Sequence, residues 1–160
     1  MKKLIAVAAV AALSVVSTVA AWWLMGADTS VPADVADYAV QPPQFDPALE
    51  TAAGVVALAL VAGALALTGW ATATRRVSRR WWLVVPAVVL AGSAVGFGFR
   101  VMTAPVIGAN IGAGLVVMFL LPAAAALVVW ALVWSLVLLR RKKAVSGLDS
   151  HLGRGMTIVA

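Results

Sequence analysis

Four long apolar stretches constrain this chain more than any other feature of its sequence. They lie at residues 4–25, 51–74, 81–99 and 111–139, and none of them contains a charged residue. A helix needs about 20 apolar residues to cross the hydrocarbon core of a bilayer, whereas a soluble helix of that length keeps one polar face for water. The sequence therefore predicts an all-α integral membrane protein, a four-transmembrane-helix bundle.

The composition indicates the same solvent. The chain is 64% hydrophobic and 11% charged, against about 25% charged residues in a soluble domain. It has no cysteine, which excludes disulfides and thiolate metal sites, and its single histidine, His151, excludes a multi-histidine site. The sequence thus predicts no cofactor and no metal. Its richness in Ala, Val and Arg is typical of a high-GC bacterial gene, so the expected location is a bacterial plasma membrane.

The first apolar stretch has two interpretations. Met-Lys-Lys at residues 1–3, followed by an apolar run and small residues, is typical of a signal peptide. Thr18-Val19-Ala20 or Val19-Ala20-Ala21 would then be the cleavage site, and residues 1–21 would be removed. The run nevertheless continues through Trp22 and Trp23 to the length of a full span. The preferred prediction is therefore an uncleaved transmembrane helix over 4–25.

The basic residues predict the orientation. All but one of the 12 Lys and Arg residues lie in the N-terminus 1–3, the loop 75–80 or the tail 140–160. Short cytoplasmic loops carry such an excess, so both termini are expected to be cytoplasmic, with the tail as a flexible segment. These bases can contact anionic lipid headgroups at the cytoplasmic face. This distribution accounts for the net charge of +6 without any role for nucleic acid.

The loop 26–50 is predicted to be extracytoplasmic and partly ordered. It has no base, and its acidic residues are Asp28, Asp34, Asp37, Asp46 and Glu50. Prolines restrict its backbone; Asp46 suits the N-cap and Pro47 the first position of the second helix. The spacing of the acids matches no calcium loop, so topology alone explains them.

Arg100 is the one basic residue that lies outside the N-terminus, the loop 75–80 and the tail 140–160. It follows the span 81–99, whose length places it at the outer headgroups, where a long cationic side chain can reach phosphates. We expect either this interfacial anchoring or an interhelical ion pair with Asp46 or Glu50, which are predicted at the same depth. The ion pair would tie the second and third spans together.

The segment 100–114, RVMTAPVIGANIGAG, begins with a Gly/Pro outer turn over 100–110. The fourth span, 111–139, is predicted to kink near Pro122, because proline removes a backbone donor. Residues 103–118 exceed one span and either project outside as a helix or fold back as a re-entrant piece. Gly108 and Gly112 are four residues apart, as are Gly92 and Gly96 in the third span, which predicts close packing between these neighbouring spans.

Two functions fit these features. The preferred one is a small non-enzymatic structural or accessory subunit that packs against partner helices. The alternative is an oligomeric channel or transporter component in which the segment 100–114 contacts an anion or substrate, because transporters use glycine-interrupted helices in this way. Enzymatic activity is not expected, since no span contains Asp, Glu, His or Lys. The predicted partners are the lipid bilayer and a membrane protein or a second copy of the chain.

Overall fold

The computed structural model describes residues 2–26, 31, 38–76, 78–105 and 109–155, with side-chain packing described as far as Arg140. The described part is all-helical, and its helices are α1 (Lys2–Leu24), α2 (Pro47–Ala73), α3 (Trp81–Met102), α4 (Ala109–Leu115) and α5 (Leu121–Gly155). A π-helical segment, Val116–Leu120, joins α4 to α5. The predicted loop residues Asp28, Asp34 and Asp37 lie outside the described residues.

Within the described part of the chain, four helices are long and apolar enough to span a membrane, over Val7–Leu24, Pro47–Ala73, Trp81–Met102 and Ile111–Arg140. The prediction of four apolar helices of spanning length is thereby confirmed. The bounds differ from the apolar runs in particular places. Helix α2 starts four residues earlier than its uncharged run, because Asp46 caps it and Glu50 lies in its first turn. Helix α5 continues to Gly155, past the expected start of the flexible tail at residue 140.

The helices alternate in direction, so the chain has two distinct ends. Ile5, Trp81 and Leu139 line one cavity and therefore lie at the same end. We call this the basic end, because Arg80 precedes Trp81 and Arg140 follows Leu139 in sequence. At the opposite end, α1 reaches Leu24, α2 starts at Pro47 and α3 finishes at Met102. We call this the acidic end, after the loop 26–50.

Helices α1 and α3 form the centre of the bundle. They share the most extensive interface, with α2 packed mainly on α1 and α5 mainly on α3; α2 and α5 do not touch within the described residues. One core cluster joins α1, α3 and α5 near the basic end, and contains Val10, Val84, Val88, Ala131 and Leu138. A second joins α1 to α2 through Ala20, Ala57 and Val61. The bundle is thus open between α2 and α5.

Small residues fill the interior and large apolar residues face outward. The buried apolar side chains are almost all Val and Ala, while Leu67, Leu90 and Phe119 are each more than 60% exposed. A water-soluble protein buries its large apolar residues. In lipid the hydrophobic effect does not drive helices together, so close packing of small residues replaces it. The exposure pattern therefore agrees with a lipid-facing bundle.

The π-helical segment lies directly before Pro122. The Leu121 N–H donates to the Val116 carbonyl, five residues back. Pro122 has no N–H for the Met118 carbonyl, so the regular α-helical ladder is interrupted here, and a π-turn is one way a helix absorbs such an interruption. Residues 109–120 are therefore helical and continuous with α5. Whether residues 103–118 project from the membrane or fold back into it stays a prediction, and residues 106–108 of this segment lie outside the described residues.

Candidate functional site at the acidic end

Arg100 joins three helices at the acidic end of the bundle. It lies in the last turn of α3, and its side chain is 13% exposed. Its Nη2 atom is 3.8 Å from Glu50 Oε1 at the start of α2. Its Nε donates to the Gly26 carbonyl at the end of α1, and its guanidinium carbon lies 4.8 Å from the centroid of the Trp22 ring. One cation thus contacts both α1 and α2 from α3.

The two carboxylates at the start of α2 have different partners. Asp46 Oδ1 accepts from the backbone N–H groups of Ala48 at 2.8 Å and Leu49 at 3.3 Å. These are orphan donors of the first helical turn, which an N-cap residue satisfies. Asp46 is therefore the helix cap, and Glu50 is the carboxylate that lies beside Arg100. Glu50 is 30% exposed, so water weakens this ion pair without removing it.

Gly26 turns the chain at the end of α1. Its φ is +65°, in the left-handed region that side chains disfavour and glycine adopts freely. Its N–H donates to the Trp23 carbonyl at 3.0 Å, which closes the last turn of α1. Its own carbonyl is then left for Arg100. The C-terminal end of a helix carries partial negative charge, so a guanidinium is a favourable partner there.

Trp22 is packed between the arginine and the loop. The Phe45 ring meets its edge at 85°, with ring centroids 6.0 Å apart. The loop is also fixed by the Val40 N–H, which donates to the Met102 carbonyl at 3.0 Å. Arg100, Trp22, Gly26, Phe45 and Glu50 together form what we call the arginine cluster. It fastens the described end of the loop to α1, α2 and α3.

Two cavities flank the arginine cluster. One, of about 630 Å³, is lined by Trp22, Phe45, Leu49 and Phe99 and is apolar apart from Thr18 and Glu50. The other, of about 440 Å³, lies on the loop side of Arg100 and includes Tyr38, Pro42 and Thr103. The Thr103 hydroxyl donates to the Phe99 carbonyl at 3.0 Å. The described residues contain no group of three or more His, Asp or Glu that could hold a metal ion.

Gly92 and Gly96, which were predicted to pack against the fourth span, contact α1 instead. A Cβ added at Gly92 would overlap the Ser14 carbonyl and lie 2.7 Å from the Ser17 Cβ; one at Gly96 would overlap the Thr18 carbonyl and lie 3.1 Å from the Ala21 Cβ. Gly92 and Gly96 therefore lie at the α1–α3 interface.

Other glycine contacts join α3 to α4 and the π-helical segment. A Cβ at Gly112 would lie 3.2 Å from Val101 Cγ1, and one at Gly98 would lie 2.8 Å from Val116 Cγ1. Gly108 lies outside the described residues.

The sequence also contains a pattern that indicates the α1–α3 interface. Ser14 and Thr18 are four residues apart, as are Ser17 and Ala21, so α1 carries its own face of small residues. The Thr18 hydroxyl donates to the Ser14 carbonyl at 2.9 Å and is 3.1 Å from the Gly92 carbonyl of α3. This interhelical contact is possible only because glycine lets the two backbones approach.

Comparison with known proteins gives no relative from which a role can be inferred: no family model, no curated protein and no solved structure matches this chain.

Proposed function

We propose that this chain is a small, non-enzymatic protein of the bacterial plasma membrane that acts as a structural or accessory subunit. The observation that carries the proposal is the open flank of α2. The buried residues of α2 are Gly54, Ala57 and Val61. It packs on α1, touches α3 lightly and has no contact with α5 in the described part of the chain. A spanning helix with one occupied side is suited to packing against a partner helix.

The open flank of α2 has the composition that helix pairing in lipid favours. Ala59 and Ala66 are exposed on it, and a Cβ added at Gly63 would meet no atom within 4 Å. Leu60 and Leu67 beside them are 55% and 67% exposed. Small residues let a second backbone approach closely, while the leucines supply dispersion contacts around that approach. These features support a partner helix on this flank.

The proposed orientation has the basic end in the cytoplasm, with both termini there. Its support is the convergence of the basic residues, because Arg75 to Arg80 lie at the same end as Ile5 and Leu139, the neighbours of the basic N-terminus and tail. A one-sided excess of bases is the known determinant of membrane orientation. The acidic loop and the arginine cluster then lie on the outer side.

We further propose that α1 is retained as a structural helix. Val10, Ser17 and Ala20 of α1 are buried against other helices. Gly92 and Gly96 of α3 lie in close contact with the α1 backbone. Removal of residues 1–21 would expose this central interface. Intact mass of the purified protein tests the point: the uncleaved mass is expected, and a mass lacking these residues would contradict it.

Native mass spectrometry after mild detergent extraction tests the proposed role. We expect a hetero-complex with another membrane protein. Gly63→Leu, on the open flank, should dissociate it, because the larger side chain prevents close approach. Gly114→Leu is the matched control, since Gly114 is also open, with no atom within 4 Å of an added Cβ, but lies on α4. The control should leave the complex intact.

Two results would contradict the accessory role. A monomer with no associated protein would remove the proposed use of the α2 flank. A defined homo-oligomer that conducts ions in liposomes would favour the channel or transporter component instead. In that case Arg100→Gln should change ion selectivity, because the alternative assigns substrate contact to the segment 100–114.

A further inference from the structure

A cavity of about 780 Å³ lies at the basic end, between the last turn of α2 and the first turn of α3. Arg75, Ser78 and Arg79 line its polar side, and Trp82 lines its apolar side. The Thr72 hydroxyl also borders it but donates to the Thr68 carbonyl at 2.8 Å. The side-chain donors that remain for a ligand are the two guanidinium groups and the Ser78 hydroxyl. This is the donor set of an anion site.

The described carboxylates are too distant to neutralise these arginines. Asp46 and Glu50 are the acidic residues whose side chains the structure describes, and both lie at the start of α2. Arg75 follows the end of this 27-residue helix, about 40 Å away at ~1.5 Å per residue. That distance is several times the screening length of about 8 Å at physiological salt. Neither of these two described carboxylates can therefore balance the charge of Arg75 and Arg79.

Arg75 ends α2 in the left-handed region of backbone conformation. Arg75 has a φ of +55°, and its N–H donates to the Thr72 carbonyl at 3.1 Å as α2 ends. Glycine is the usual residue at such a helix end, because a side chain is disfavoured in the left-handed region. An arginine is held in this conformation, and it lines the cavity.

The neighbouring arginines differ from the pair in the cavity. The Arg76 guanidinium carbon lies 4.8 Å from the centroid of the Trp70 ring on α2, and neither Arg76 nor Arg80 lines the cavity.

Trp82 is 40% exposed and lies against Gly69, where an added Cβ would be 3.3 Å from Trp82 Cζ2. Tryptophan favours the depth of the headgroups, so the apolar wall of the cavity faces the edge of the bilayer.

We propose that this cavity binds the phosphate of an anionic glycerophospholipid. Arg75 and Arg79 donate to the phosphate oxygens, which guanidinium groups bind in bidentate geometry, and Ser78 adds a third donor. Trp82 and Gly69 form the wall along which the glycerol and the start of an acyl chain lie. A lipid suits this site better than free phosphate, because one wall is apolar and faces the bilayer. The assignment rests on the proposed placement of this loop at the membrane surface.

The test measures lipid binding to the full-length protein, delipidated in detergent, by native mass spectrometry. The probes are dioctanoyl phosphatidylglycerol and dioctanoyl phosphatidylcholine. We expect preferential binding of the first, and a loss of about tenfold per arginine for Arg75→Gln with Arg79→Gln, the order expected when charge-assisted hydrogen bonds are removed. Arg76→Gln with Arg80→Gln removes the same charge from the same loop and should change affinity by less than about threefold. Arg75→Lys with Arg79→Lys should give an intermediate loss.

Several outcomes would overturn the lipid site. These are equal losses for the two glutamine pairs, undiminished binding after Arg75 and Arg79 are both replaced, equal binding of the two lipids, and full displacement of the lipid by inorganic phosphate at the same concentration as the lipid. The lysine pair preserves the loop charge that guides insertion, so it keeps the test valid if the glutamine pair folds poorly. The same spectra report partner complexes separately, so a failed lipid site and a failed accessory role are distinguishable.

Discussion

Replacement of Gly96 by alanine tests the α1–α3 interface directly. The new methyl group would overlap the Thr18 carbonyl and lie 3.0 Å from the Trp22 nitrogen. Both obstacles are backbone atoms of α1, which cannot rotate away as a side chain can. The two helices must therefore separate, and the Thr18 hydroxyl would move away from the Gly92 carbonyl, which it approaches to 3.1 Å.

The magnitude follows from three contributions. Overpacking a close-packed interface costs about 1–3 kcal/mol. The loss of one hydrogen bond adds roughly 0.5–1.5 kcal/mol, reduced here because Thr18 keeps its bond to the Ser14 carbonyl. Alanine in place of a helical glycine returns about 0.5–1 kcal/mol through backbone entropy. We expect Gly96→Ala to lower the free energy of unfolding by about 1–3 kcal/mol, a range dominated by the overpacking term.

Unfolding in mixed micelles of mild detergent and dodecyl sulfate, followed by tryptophan fluorescence, measures this change. Gly63→Ala and Gly114→Ala are matched controls, because an added Cβ at either position meets no atom within 4 Å. Both should be neutral or stabilised by up to about 1 kcal/mol. If Gly96→Ala unfolded at the same point as these controls, α1 would not contact α3 as described.

Three further changes test the acidic end by the same unfolding assay. Arg100→Gln and Glu50→Gln should couple by about 0.5–1 kcal/mol in a double-mutant cycle, the size expected for a partly exposed pair. The control cycle combines Arg100→Gln with Asp46→Asn. Additivity in both cycles would argue against the ion pair. Gly26→Ala should cost roughly 1–2 kcal/mol because its φ is +65°, and Gly26→Asn should cost less; equal stability of all three proteins would refute the left-handed turn. Asp46→Ala should cost about 0.5–2 kcal/mol through loss of the N-cap, whereas Asp46→Asn should retain most of that stability; no loss with alanine would contradict the cap.

The four helices of spanning length could be predicted because their determinants are local. Length and the absence of charge over residues 51–74 or 81–99 require no knowledge of neighbours. The same holds for the cap at Asp46 and for the backbone interruption near Pro122, which depend on residues adjacent in sequence. The form of that interruption, a π-helical segment over Val116–Leu120, was not predicted, because several helical distortions can absorb one missing donor.

The order of helices around the bundle could not be predicted in the same way. Faces of small residues occur on α1 and α3 and near Gly112, and sequence spacing alone does not say which face meets which. The prediction paired Gly92 and Gly96 of the third span with the fourth span, which is the next one in sequence. The structure instead pairs them with the small face around Thr18. Serine and threonine are less conspicuous than glycine, but in lipid they serve the same close packing.

Within the arginine cluster, only the contact between Arg100 and Glu50 could be predicted. Counting residues along α2 and α3 brings Arg100 and Glu50 to one depth, and the structure has them 3.8 Å apart. The contacts of Arg100 with the Trp22 ring and the Gly26 carbonyl depend on how α1 ends and on its rotation relative to α3. Neither property is encoded by residue spacing along one helix.

Cysteine accessibility tests the central claim, a four-span bundle with its basic end inside the cell, most directly. The chain has no cysteine, so a single introduced cysteine is the only thiol that the reagent can label. Gln44→Cys and Ser78→Cys place a thiol in an exposed segment at the acidic and the basic end, respectively. A membrane-impermeant maleimide should label the first in intact cells and the second only after permeabilisation. Labelling of both from one side, or of Ser78→Cys alone in intact cells, would contradict the account.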